Sequence, residues 1–359
     1  RLRTNNSATT ANNDQTIQFD DLITEENLMN FSKIQLQIAK YSEYSGRLNL
    51  HALIILYKSI TISCPRWEEA HFHLAMFYRR LYRQYQNASP LLDSKTKFLF
   101  GKPNEILDLK ARTIKSICDS LRFGTYKYVR LSLPILLNIW FYMGYENISL
   151  QNRLRTVQDQ RTKTLNDLCK LFIERSTQWI REMFQSSMND AIFLIELDTL
   201  IGHLLHPIET ISKLIEEILK KLIADFPRHM VWLISRSLST RIGRRSLKTK
   251  ELVQGAQKLF AENNQNDGGS ISTNFIVQYF GKFNQFSDCL ENLAMYKEKK
   301  NLTRRSIVSN QQQQNKNEIS LQLISPTLIQ CMQNDQQFKF ILPSNQFFLP
   351  NSMNLERLS

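Results

Sequence analysis

The sequence predicts an all-α fold, an α-solenoid of tetratricopeptide- and HEAT-like helical hairpins with no sheet, and three observations lead there. Apolar residues recur at three-four spacing along most of the chain, no segment alternates at period two, and glycine is scarce at 10 of 359 residues. Paired helices with short joins and no single Gly/Pro-rich interdomain linker suit an array in which each pair packs on its neighbours.

Residues 1–20 are polar and are expected to be disordered or a linker. Residues 21–300 form the helical-repeat domain, with helices at about 24–43, 48–63, 67–86, 104–122, 125–143, 153–185, 228–238, 244–262 and 271–298. The apolar window Leu131 to Tyr145 is too short to span a bilayer, is interrupted by Pro134 and Asn138, and reads as a buried helix. Ile192, Ile195, Leu197, Leu200, Ile201, Leu204 and Leu205 line one helix after a capping Asn189 or Asp190. Ile208, Ile211, Leu214, Ile215, Ile218, Leu219, Leu222 and Ile223 line the next, antiparallel to it across a His206-Pro207 corner. Pro207 is placed in the first turn of that second helix, and Pro227 marks its stop. Residues 301–318, holding the run Gln311 to Gln314, read as a flexible loop, and 319–359, with Phe338, Phe340, Phe347 and Phe348 among three prolines, as an extended connector. Pro65, His71, Leu74-Ala75 and Tyr78 stand at the offsets of one degenerate tetratricopeptide repeat.

Charge and cysteine usage narrow the function. With 46 Lys and Arg against 33 Asp and Glu, the net charge is +13. Five cysteines, far apart and never in a Cys-x-x-Cys pair, argue against a disulfide framework and a zinc site, and fit a reducing compartment. The only Gly pair, Gly268-Gly269, follows no strand, so a phosphate-cradling loop is not expected. No signal peptide core is visible and the chain opens on Arg1, which reads as a piece of something longer.

No catalytic, cofactor-binding or metal-binding residue is predicted. His71 and His73 point apart on a helix; His203 and His206 have ligand spacing but no Cys or carboxylate beside them, so packing or capping is expected. Glu68-Glu69 and Glu216-Glu217 read as a solvated face or a favourable N-terminal charge. Trp67, Trp140, Trp179 and Trp232 read as core. The cluster Arg236, Arg241, Arg244, Arg245, Lys248 and Lys250 is the strongest charge feature. Its functional reading is salt-sensitive contact with DNA through Arg241, Arg244, Arg245 and Lys248; its bland reading is a solvated loop and helix start.

Three blocks in order carry a resemblance. Cys64-Pro65-Arg66-Trp67-Glu68-Glu69-Ala70-His71-Phe72-His73-Leu74-Ala75-Met76-Phe77-Tyr78 resembles a stretch of the FAT domain of ATR-type checkpoint kinases, members of the phosphatidylinositol-3-kinase-related protein kinases. Ser120-Leu121-Arg122-Phe123-Gly124, then Ser132-Leu133-Pro134 and Leu137-Asn138-Ile139-Trp140, is similar to the family's second block, and Phe226-Pro227 through Trp232 to its third.

The resemblance implies a regulatory scaffold wrapped around a kinase domain lying C-terminal to it, in nuclear DNA-damage signalling. It also implies regulatory protein partners and dimerisation in the full-length protein, and no membrane. The upstream HEAT-repeat array is expected to be missing. No Asp-Phe-Gly, catalytic-loop Asp with its downstream Asn, or Gly-rich loop occurs, so this chain is expected not to be an enzyme, and ATP and Mg belong only to the missing kinase domain. The competing readings are a stand-alone helical-repeat adaptor and a basic helical nucleic-acid-binding protein.

Overall fold

A computed structural model describes residues 25–88, 103–124, 126–156, 159–186, 190–238, 243–265 and 275–294. The predicted segments 1–20, 301–318 and 319–359 lie outside the described residues. Among the described residues every regular element is helical, as the periodicity predicts: α1 (Glu25–Ser45), α2 (Leu50–Ser63), α3 (Glu68–Ala88), α4 (Pro103–Phe123), α5 (Val129–Thr156), α6 (Gln160–Ser186), a 3-10 segment (Asp190–Glu196), α7 (Leu197–Gly202), α8 (Glu209–Asp225), α9 (Pro227–Leu238), α10 (Gly243–Gln265) and α11 (Phe275–Ala294).

Each helix packs mainly on the one or two that follow it, so the array grows by local addition. Local chemistry sets the corners. Gly46, directly after α1, takes φ +64°, the left-handed conformation that ends helices at little cost for glycine. Asn49 then starts α2, its side chain accepting the Ala52 N–H at 2.8 Å. One apolar core runs continuously from Leu36 to Phe283, with Trp140, Tyr57, Phe193 and Ile114 fully enclosed.

Four boundaries correct the sequence reading. Helix α5 does not end near 143 but continues to Thr156, and α6 begins at Gln160 instead of 153. The segment after Asn189 opens as a 3-10 helix, and only Leu197–Gly202 is α-helical. Pro207 lies outside α8, whose cap is Ile208. Pro227 does not merely stop α8 but is the first residue of α9, where its fixed φ and missing N–H cost nothing.

Helix α1 keeps an apolar outer face. Leu36 and Ala39 point into the core, while Phe31, Ile34, Ile38 and Tyr41 are each more than half exposed. Their three-four spacing makes a continuous stripe along the helix.

Candidate functional site

The first two sequence blocks meet in one knot. Glu68, in the first turn of α3 where the sequence reads a solvated face or a favourable N-terminal charge, is only 7% exposed. Its Oε1 accepts the Tyr128 N–H at 3.1 Å, and its backbone carbonyl accepts the Ser120 hydroxyl at 3.1 Å. Gly124 abuts the same side chain: a Cβ at 124 would lie 2.6 Å from Glu68 Cγ and closer still to the carboxyl group. Tyr126, between them, holds φ 63°, an uncommon conformation for an aromatic residue. The rings of Phe72 and Tyr128 stack at 4.1 Å, and Ser132 bonds back to the Tyr128 carbonyl at 2.8 Å. Ser-Leu-x-aromatic-Gly is thus legible as packing: the serine bonds α3, the leucine enters the core and the glycine makes room for a carboxylate.

Further joints follow the same logic. Trp140 of α5 is fully buried and donates its indole N–H to Thr177 of α6 at 2.9 Å. Trp232 of α9, in the third block, meets Phe283 of α11 edge-on at 4.5 Å.

The histidines hold structure. His71 Nε2 bonds the Pro65 carbonyl at 2.8 Å. His203 stacks on Phe141 at 4.0 Å and donates to the Thr199 carbonyl at 2.9 Å, while His206 accepts the Ile208 N–H at 3.1 Å. Gly144 lets α5 approach the His206 ring, since a Cβ there would lie 2.8 Å from its Nε2. Among the described residues no group of three or more His, Cys, Asp or Glu could hold a metal.

His73, His206 and His229 set a pH dependence. Burial, followed by the Lys40 charge, lowers His73 from 6.5 to about 4. Burial also lowers His206 and His229. The unfolded chain therefore takes up these protons first, so stability is complete above pH 6.5 and falls as pH drops toward 4. His73 alone should cost about 2 kcal/mol between roughly pH 6.5 and 5. Urea midpoints at about pH 7.5 and 5 measure the loss. His73→Gln should flatten it, and equal midpoints in the unsubstituted chain would contradict it.

The basic cluster divides. Arg241 lies outside the described residues. Arg245 donates to the Ile201 carbonyl at 3.0 Å and to Ser237 at 3.3 Å, tying α10 to α7 and α9. Lys248 pairs with Glu216 of α8 at 2.7 Å and with Glu251 at 3.5 Å. Arg236, Arg244 and Lys250 are exposed. A cavity of about 750 Å³ beside Arg244 and Lys248 is also lined by Glu209, Glu216 and Glu251, so its field is mixed. Glu217 bonds Arg181 at 3.2 Å. Sequence exposes the cations but not these acidic partners, apart from Glu251 at the i+3 position of Lys248.

Residues 177–277 match the family described as "Serine/threonine-protein kinase ATR-like, HEAT repeats". Protein kinase rad3 of Schizosaccharomyces pombe is 24% identical over 227 residues, covering 62% of this chain and 9% of that protein. Part of the helical array is similar to that ATR-like family. Serine/threonine-protein kinase ATR of Arabidopsis thaliana is 24% identical over 264 residues, 69% of this chain and 9% of the relative. Serine/threonine-protein kinase MEC1 of Candida glabrata is 24% identical over 206 residues, 57% and 8% respectively. The chain thus matches under a tenth of the length of each of these relatives. The family description puts HEAT repeats at 177–277, inside the domain for which the sequence predicts tetratricopeptide- and HEAT-like hairpins.

Proposed function

We propose that this chain is the regulatory, FAT-type helical scaffold of an ATR-like Ser/Thr protein kinase, supporting and controlling a kinase domain encoded after it. The observation that carries the reading is that the three resembling blocks supply joints of the array. Glu68, Ser120 and Gly124 interlock, Trp140 reaches α6 and Trp232 reaches α11. A scaffold transmits a distant binding event through such packed joints. The exposed apolar stripe of α1 fits a helix that packs against more protein.

On this reading the chain performs no bond-making step, and ATP and Mg are needed only by the kinase domain. Its place is nuclear DNA-damage checkpoint signalling, with regulatory proteins and a second copy as partners. Contact with DNA through the 236–250 cluster is the weaker reading, because Arg245 and Lys248 are already engaged within the fold.

The test is to sequence the native transcript through and beyond the codon for Ser359. A frame continuing into Asp-Phe-Gly and catalytic-loop residues within about 300 codons is expected, given the usual size of a domain. A stop codon directly after Ser359 would remove the kinase reading and leave a stand-alone adaptor.

A further inference from the structure

Two cavities, of about 480 and 470 Å³, share Gln86, Lys110 and Tyr142 and together form a groove across α3, α4 and α5. Lys110 forms its floor. The Lys110 side chain is 3% exposed, donates to Glu146 Oε1 at 2.7 Å and lies 4.9 Å from the centre of the Tyr142 ring. An ammonium has three N–H donors, so this pairing leaves it further capacity. The second oxygen of Glu146 is buried without a hydrogen-bond partner, a costly state for a carboxylate.

Floor and rim differ in charge. Lys110 and Glu146 cancel. Arg83 at one end of the groove and Arg153 at the other are exposed, and neither has an ion-pair partner among the described residues. Ile106, Leu150 and Leu165 give one wall an apolar character.

We propose that this groove docks an acidic peptide segment of a partner protein, anchored by one apolar side chain. The Lys110–Glu146 pair lies beneath such a segment as a floor whose charges cancel. The apolar anchor fills the cavity bounded by Ile106, Leu150 and Leu165. Acidic residues on either side reach Arg83 and Arg153, where complementary charge speeds encounter and selects the partner. A phosphodiester backbone fits less well, because it carries no apolar side chain to fill the cavity bounded by Ile106, Leu150 and Leu165. The proposal is independent of the kinase reading.

The test uses the 359-residue chain and an arrayed set of fluorescein-labelled acidic peptides that differ in one central apolar residue. Basic counterparts and an oligothymidylate serve as competing probes, with anisotropy as the readout. At least one acidic peptide with an apolar centre should bind, more weakly as salt rises. The double variant R83E/R153E, changed only at exposed positions, should lose about tenfold or more in affinity and gain preference for the basic peptide. That switch separates charge recognition from a general loss of fold. The proposal is overturned if no acidic peptide binds, if binding is unchanged in the double variant, or if the oligothymidylate binds with the same dependence on both arginines.

Discussion

Trp140→Ala is expected to lower the stability of the fold by about 3–5 kcal/mol. The indole is fully enclosed between α5 and α6, and truncation leaves a cavity that two packed helices cannot close. The loss has two parts that conservative variants separate. Trp140→Phe keeps most of the volume and removes only the indole bond, because the Thr177 hydroxyl still bonds its own helix at Ile173. Thr177→Val keeps the shape and strands the indole N–H, at about 1–3 kcal/mol. Urea unfolding of the three variants measures the partition. A cost below about 1 kcal/mol for Trp140→Ala would mean that this joint is not part of the cooperative core.

Glu146→Ala should be comparably damaging, and its mirror image should not. Lys110 is almost fully enclosed, so removing Glu146 leaves a buried ammonium with no counter-charge, a change that costs about 3–5 kcal/mol in other buried pairs. Glu146 keeps 28% of its side chain in contact with solvent and can hydrate when its partner is removed. Lys110→Met should therefore cost much less, and the double variant should be more stable than Glu146→Ala alone. A thermodynamic cycle over the four proteins reads this directly. Equal losses from both single variants would show that the enclosed charge is better solvated than its burial implies.

Most helices were legible because a three-four stripe survives in the primary sequence wherever one face meets a core. What escaped did so for identifiable reasons. The helix expected to end near 143 runs on through Gly144, which sits inside α5 and admits the His206 ring from a distant segment. The stretch 190–196 carries helical spacing, yet Ala191, Ile192, Phe193 and Leu194 are all buried, and a segment enclosed all round has no polar face to set its period. Glu68 illustrates a further limit. Its acid at a helix start is visible in sequence, but Ser120, Gly124 and Tyr128, which enclose it, stand far along the chain. The basic cluster was visible as charge, and its engagement with Glu216 and the Ile201 carbonyl was not.

The Glu68 knot also bears on where this polypeptide can be divided. A cut between Ala88 and Pro103 falls between helices, at a position that secondary structure alone would offer as a boundary. It would put Glu68 and Phe72 on one piece and Ser120, Gly124 and Tyr128 on the other, leaving each piece with half of a buried hydrogen-bonded cluster. Each half would then leave these groups to water and expose its side of the Phe72–Tyr128 stack. The smallest autonomous piece containing α3 must therefore run on at least to the start of α5, and repeat borders drawn by counting helix pairs do not coincide with the borders of independent folding.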